Sequence, residues 1–255
     1  MRVYVIDTAV ERMAHMARQL SRYEVSYERL AAVDGRTLHP AYVAKFRPMT
    51  ASQVGLLLSH KLAWMRIAYG EQPYGIVLTD DIHVAANFAQ FASAADWIPA
   101  DTGVVTFDTD LHRTFVDRIP RGRWHGSALR RTSSFYSGTG AYLLSVDAAR
   151  LLLRIHAEPI GPDDDDAIFP VEERWRHMLP AYQLDPAVCI REAMLRPSGD
   201  RPAPAVPRYP MPANRRAARR ASRFFRWISG ELAADASAGG VPPLFMGKII
   251  PFAGN

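Results

Sequence analysis

The sequence predicts an α/β fold with a mainly parallel central sheet, and three observations carry that prediction. Short apolar runs alternate along the chain with stretches of helical periodicity. Two of the runs, Tyr74 to Leu78 and Gly103 to Phe107, are almost wholly apolar and too short for helices, as suits strands covered on both faces. Each of them leads into acids, Asp80-Asp81 after the first and Asp108 and Asp110 after the second.

Taken in order, Arg2 to Ile6 is apolar and β-branched and reads as the first strand. Val10 to Tyr23 follows as a helix, with Met13, Met16, Ala17 and Leu20 at helical spacing. Tyr27 to Val33 is a second strand, ended by the turn pair Asp34-Gly35. Thr50 with Gln53 three residues on is a capping box. It opens a helix whose apolar face carries Val54, Leu57, Leu58, Leu62, Met65 and Tyr69 and which stops at Gly70. After the strand ending at Leu78, a helical stretch runs near Asn87 to Ala95 and the second buried strand ends at Phe107. Residues 109 to 125 read as irregular and basic. Ala128 to Phe135 and Gly140 to Ser145 are strands separated by Gly138-Thr139-Gly140, and Val146 to His156 is an amphipathic helix. Pro159 to Pro162 precedes four aspartates, Asp163 to Asp166, and a helix-like run to His177; Tyr182 to Ile190 closes the body. Six prolines between Pro197 and Pro212 mark a linker. The expected division is a body of residues 1–196, a Pro-rich linker of 197–213 and a tail of 214–255.

Charge follows the same division. The 255 residues include 31 Lys+Arg and 26 Asp+Glu, a formal charge of +5. Six arginines lie between Arg215 and Arg226 with no acid among them, so the remaining 25 basic residues face 26 acidic ones, a net of −1. A nearly neutral body argues against a fold-sized surface for nucleic acid, and no nucleic-acid partner is expected. The single cysteine, Cys189, excludes an intramolecular disulfide framework and fits a reducing compartment. No apolar run reaches 18 residues, and Asp7, Glu11 and Arg12 stand where a secretory signal needs its apolar core. These points lead to the expectation of a cytoplasmic protein without a spanning segment.

The tail has Ala217, Ala221, Phe224, Phe225, Ile228 and Leu232 at helical spacing, with the six arginines covering the rest of the surface. A basic amphipathic helix over 214–232 suits an anionic membrane surface, each arginine contributing on the order of 1 kcal/mol. The same pattern also suits packing on its own domain or on a partner.

In open α/β sheets, ligands bind just beyond the carboxyl ends of the strands, where Asp80-Asp81 stand. Adjacent carboxylates there can hold a hard divalent cation that binds a diphosphate; they can equally serve as a turn or an N-cap. Arg12 has the fork to reach a phosphate, or is a solvated helix residue. Asp34 can hydrogen-bond a nucleoside, or belongs only to its turn. His60, seven residues from Gln53 and nearly on the same face, is a donor-site or metal-site candidate or a structural histidine. The four aspartates complement a helix dipole, or supply a general base. Phe135, Tyr136 and Tyr142 near the Gly138-Thr139-Gly140 turn are stacking faces for a sugar or core residues.

The run Val54-Gly55-Leu56-Leu57-Leu58-Ser59-His60 with Trp64, then Val77-Leu78-Thr79-Asp80-Asp81, then Gly138-Thr139-Gly140-Ala141-Tyr142-Leu143-Leu144-Ser145 with Ala148-Ala149, resembles the pattern of glycosyltransferase family 25, the lipopolysaccharide-type transferases. Ala32-Val33-Asp34-Gly35 upstream and Pro162 with its acids downstream keep the family's order, so the resemblance covers roughly residues 2 to 195. The pattern departs at three places: Thr79 stands for the family's Glu, Asp7-Thr8 for Asn-Leu, and Gly55-Leu56 for Gly-Cys. The resemblance implies a GT-A type fold, a UDP-sugar donor, Mn²⁺ or Mg²⁺, and inverting transfer of a hexose such as galactose to a lipopolysaccharide or lipooligosaccharide type of glycan or glycolipid. On this reading Asp80 and Asp81 hold metal and diphosphate. Arg12, Asp34, His60 and Thr79 with Asp80 shape the donor site, and Asp164 is the first choice of base, with Asp163, Asp165 or Asp166 the alternatives on a slip in the alignment. The protein would sit peripherally at the inner face of the membrane. Thr79 supports a second reading, a catalytically degenerate transferase-like binding protein at that surface.

Overall fold

The computed structural model describes residues 1–46, 49–111, 113–132, 139–157, 179–195 and 245–254. The linker at 197–213, the arginine-rich stretch at 214–232, the four aspartates, Gly138 and the aromatics Phe135 and Tyr136 lie outside the described residues.

The chain opens with β1 (Arg2–Asp7), α1 (Val10–Arg22) and β2 (Tyr27–Ala31), and Met13, Met16 and Leu20 are the buried positions of α1, as their spacing requires. One short turn of helix, α2 (Pro40–Val43), precedes α3 (Ala51–Ala68). The capping box is formed in full: Thr50 Oγ1 accepts from the Gln53 N–H at 3.3 Å and Gln53 Oε1 accepts from the Thr50 N–H at 2.7 Å. Then come β3 (Tyr74–Thr79), β4 (Ile82–Val84), α4 (Phe88–Ser93), β5 (Val104–Thr106) and β6 (Asp108–Thr109). Next are β7 (Arg113–Asp117), β8 (Gly122–Trp124), β9 (Ser127–Arg131), β10 (Ala141–Ser145) and α5 (Val146–Ile155). The described chain closes with β11 (Ala181–Asp185), β12 (Cys189–Arg191) and β13 (Phe245–Ile249).

Eight strands form one sheet in the order β2-β1-β3-β10-β5-β11-β9-β8. Pairing is parallel across β2, β1 and β3 and again between β5 and β11; β10 enters antiparallel between β3 and β5, and β9 and β8 are antiparallel at the far edge. Along β1, Val3 and Val5 face one layer while Tyr4 and Ile6 face the other; along β3, Ile76 and Leu78 oppose Val77 in the same way. The layer with Val3 contains α1 and α4, and the layer with Tyr4 contains α3 and α5. Both faces of the central strands are therefore dry, which explains why the sequence runs at β3 and β5 are apolar rather than alternating.

Residues 109 to 125, expected to be irregular, contain β7 and β8. The hairpin from β8 to β9 turns at His125 and Gly126, both at positive φ (49° and 86°), a two-residue connection that matches the twist of the strands. The partner of β7 is β13, at the far end of the chain. No local pattern could reveal a pairing of that sequence separation.

β13 also changes the picture of the C-terminal segment. Its Lys248 donates to both oxygens of Asp185 at 2.7 Å, and the same carboxylate accepts from Arg130 Nε at 2.7 Å. Ile250 is buried with Val116 and Ala187, and the Ala187 N–H donates to Pro251 O at 2.8 Å. The chain is thus attached to the body on both sides of residues 196–244.

Candidate active site

Parallel pairing of β1 with β3, in register from Arg2↔Gly75 to Ile6↔Thr79, brings the two carboxyl ends together. The Asp80 N–H continues the ladder to Ile6 O at 3.2 Å. The Asp80 side chain then reaches back to the two residues just before α1: one oxygen accepts from the Thr8 N–H at 2.7 Å and the Ala9 N–H at 2.9 Å, and both lie 2.9 Å from the Thr8 hydroxyl. A carboxylate on the N–H groups at a helix start is well placed electrostatically. Arg12 adds its charge, with Nε 3.6 Å from Asp80 and Nη2 donating to Thr8 Oγ1 at 2.6 Å. Thr8, in the pair Asp7-Thr8 where the family pattern carries Asn-Leu, is therefore an integral part of this junction, whereas the Asp7 carboxylate pairs with Arg29.

Asp81 differs. It is half-buried, and one of its oxygens accepts from the Thr79 hydroxyl at 2.5 Å. Its carbonyl accepts from the Glu192 N–H at 2.8 Å, which fixes the turn after β3 against the residues following β12. Thr79 is buried, and its hydroxyl lies 3.3 Å from Gly140 O. The residue in place of the family's glutamate thus orients Asp81 rather than presenting a charge.

A small second sheet, β4-β12-β6, lies across this edge and gathers residues from three parts of the chain. Arg191 pairs with Ile82 just after the aspartates, and Cys189 pairs with Asp108 just after β5. Gly140 sits where they meet, since a Cβ there would lie 2.7 Å from Ile82 Cδ1, 2.9 Å from Asp108 Oδ2 and 3.0 Å from Arg191 Nε. Asp108 and Arg191 were not singled out as site residues from sequence. The available signal was the acid directly after a second buried strand, the same arrangement as at Asp80.

His60 stands behind the edge, fully buried, with Nδ1 2.9 Å from the Tyr142 hydroxyl, which also accepts from Trp64 Nε1 at 2.9 Å. Burial, and next the charge of Arg191, lower its pKa to about 3, so the ring is neutral at physiological pH. It joins Tyr142 in the core rather than facing solvent. Asp34 lies apart from the aspartates: exposed, it caps the turn Gly35–Thr37 and accepts from Arg36, whose hydrogen bonds hold its carboxyl below the ordinary range. The motif residues around it are structural. Gly35 meets Gly55 and the backbone of Ala51 so closely that a Cβ on Gly35 would lie 1.7 Å from Ala51 O, and Ser59 Oγ accepts from the Val33 N–H at 2.8 Å.

As a cation site the described residues fit in part. Asp81 has the exposure to share in holding a divalent ion together with a ligand's phosphates. The oxygens of Asp80 already accept from Thr8 and Ala9. Among the described residues, no group of three or more His, Cys, Asp or Glu side chains is placed to hold a metal. A separate open groove of about 870 Å³ runs between β2 and the second half of α3, lined by Arg2, Arg29, Arg66, Leu62, Met65 and Tyr69 among others, away from these carboxylates. No helix among the described residues is long and apolar enough to cross a membrane.

Comparison with known proteins adds to this geometry. The family model described as glycosyltransferase family 25 (LPS biosynthesis protein) matches residues 1–168. The lipooligosaccharide biosynthesis protein lex-1 of Haemophilus influenzae is 24% identical over 164 residues, 59% of this chain and 52% of that protein, so the match spans about half the length of this curated relative. Among solved structures, a glycosyltransferase involved in glycosylation of the major capsid of PBCV-1 aligns with a TM-score of 0.41 at 9% identity, covering 74% of this chain and 91% of that one. The inositol-1-phosphate CTP transferase from T. maritima aligns with a TM-score of 0.41 at 11% identity, over 77% and 92% of the two chains.

Proposed function

Because the chain belongs to glycosyltransferase family 25, we propose that it transfers a sugar from a nucleotide-sugar donor to a glycan of the lipopolysaccharide type. The observation that carries this reading is the meeting of Asp81, Arg12 and the Asp80-held turn at the carboxyl edge of β1 and β3, the edge where open α/β sheets bind ligands. The donor is a UDP-hexose, with galactose the first to test.

The chemistry is a displacement at the anomeric carbon. The acceptor oxygen attacks C1 as its proton passes to a carboxylate base, the bond from C1 to the phosphate oxygen breaks, and the nucleoside diphosphate leaves with the electron pair; attack opposite the leaving group inverts the centre. Asp164, or Asp163, supplies the base on this proposal; both lie outside the described residues. Negative charge grows on the departing diphosphate, and groups preorganised there lower the barrier. Arg12 lies at the rim to meet that charge. A divalent ion, Mn²⁺ or Mg²⁺, when bound at Asp81 supplies further neutralisation of it. The segment 214–232 would hold the protein at an anionic membrane surface on the cytoplasmic side, where a lipid-linked acceptor is presented.

The test is UDP titration and sugar transfer with and without Mn²⁺ for the parent protein and Asp81→Asn. The substitution is expected to abolish metal-dependent transfer and leave cooperative unfolding intact; full turnover in Asp81→Asn would sink the role. A second reading, a transferase-like binding protein, is favoured by one observation: Thr79 and Asp80 both spend their polar atoms on structure. UDP binding without any transfer or UDP-sugar hydrolysis would support it.

A further inference from the structure

The second half of α3 is apolar on more than its core side. Ala63, Trp64, Ile67 and Ala68 are buried, yet Leu62, Met65 and Tyr69 are 36%, 39% and 83% exposed. With the exposed Arg66 they follow the i, i+3, i+4, i+7 spacing of one helix face. That stripe is one wall of the open groove of about 870 Å³, and β2 is the other. One end of the groove lies at Ala31, which pairs with Asp7, the residue before the Thr8 that Asp80 holds; Arg2 and Gln72 line the other end. The groove thus starts beside the candidate active site and runs back along the strand.

The chemistry of the lining selects its occupant. Tyr69 offers an exposed aromatic face, with Leu62 and Met65 on the same stripe, and such a face suits the C–H side of a sugar ring while its hydroxyl edge stays wet. Glu28 has one oxygen 3.2 Å from Arg66 Nε and the other 3.6 Å from Arg2 Nη1, and the two arginine side chains are 63% and 64% exposed. Two guanidinium groups carry more N–H donors than one shared carboxylate can accept, and they leave one positive charge over. Hydroxyl groups and an acidic substituent are what this set receives. A strand edge that carries the charged pair Glu28-Arg29 is ill suited to pairing with a further strand, which disfavours an added peptide or the same edge of a second copy.

We propose that this groove is an acceptor subsite that holds an oligosaccharide with an acidic substituent. Tyr69 stacks on a sugar ring, Arg66 and Arg2 take the acidic group, and Glu28 accepts from hydroxyls. This deepens the transferase reading on which it rests, by giving a place to the part of the glycan beyond the sugar that reacts.

Calorimetric titration of the full chain tests it with three probes: the phosphorylated oligosaccharide released from a lipooligosaccharide, the same oligosaccharide after phosphatase treatment, and UDP. The parent should bind the phosphorylated form about threefold tighter than the treated one, as an exposed charge pair allows. Tyr69→Ala is expected to weaken both forms about fivefold, as loss of a stacked ring does. Arg66→Gln should remove most of the difference between the two forms, and UDP binding should match the parent in both variants. Both side chains are largely exposed, and urea unfolding confirms that the variants fold. Folded variants that bind both oligosaccharides as the parent does overturn the proposal and leave the transferase reading intact, as does a parent that binds UDP but neither oligosaccharide. Equal binding of the two forms by the parent overturns the acidic substituent. A parent that binds the oligosaccharides but neither binds UDP nor transfers sugar overturns the transferase reading and leaves a glycan-binding groove. A dimer of the parent that Tyr69→Ala splits in sedimentation assigns the groove to a second copy and overturns the proposal.

Discussion

Replacing Asp80 by Asn exchanges a carboxylate that accepts two backbone N–H groups and a hydroxyl for an amide that accepts through one oxygen and brings two donors into a site already full of donors. The expected cost is about 2–3 kcal/mol of stability, read by thermal or urea unfolding. Asp81→Asn should cost less than about 1 kcal/mol, because a half-buried side chain loses only the charge of one accepted hydrogen bond. Equal destabilisation by the two would refute the division of labour between them. His60 makes a separate prediction. Its pKa of about 3 in the fold lies below the ordinary 6.5, so between those values the unfolded chain binds a proton that the native chain does not. Stability from this residue is complete above pH 6.5 and falls as pH drops. From pH 7 to pH 5 the parent should lose about 2 kcal/mol more than His60→Gln, measured by urea unfolding at both pH values. The same residue illustrates the reach of sequence reading: Ser59-His60 is visible as a motif, but burial against Tyr142 and Trp64 is a property of the packed layers.

At the scale of elements, α3 is the best example of local information written in full. The Thr50 and Gln53 cap and the apolar spacing are both present in the sequence and both formed, because each depends on residues within one or two turns. Its docking depends on glycine. With Gly35 against the backbone of Ala51 and Gly55, a methyl at either position has no room, and Gly55→Ala is expected to destabilise by about 1–3 kcal/mol through backbone displacement despite the better helix propensity of alanine. A Tm equal to or above that of the parent would show that the helix can shift at no cost. In contrast, β7 and β8 escaped the sequence reading because their pairing is supplied by β13 and by a His-Gly turn rather than by strong alternation or an Asn-Gly signal.

For the whole molecule, the return of the chain at β13 alters how the arginine-rich stretch is to be tested. A chain ending near residue 196 lacks Lys248 and the Ile250 contacts and leaves Asp185 with one fewer cation. It should melt lower than the parent whatever the stretch does at a membrane. Lys248→Met isolates the ion cluster; with the lysine side chain 37% exposed against 3% for Asp185, a loss of about 1–2 kcal/mol is expected by urea unfolding. Removing only residues 214–232 should abolish pelleting with anionic vesicles at low salt, and unchanged pelleting would refute the proposed membrane contact. The sequence by itself determined the alternation of strands and helices, the capped α3 and the acids at two strand ends, since periodicity and caps arise from residues close along the chain. The tertiary structure alone decided that Asp80 closes a junction while Asp81 remains half-open, that Asp108 and Arg191 meet at Gly140, and that the chain's end belongs to the body. Those outcomes depend on burial and pairing between segments tens of residues or more apart, and no local pattern encodes them.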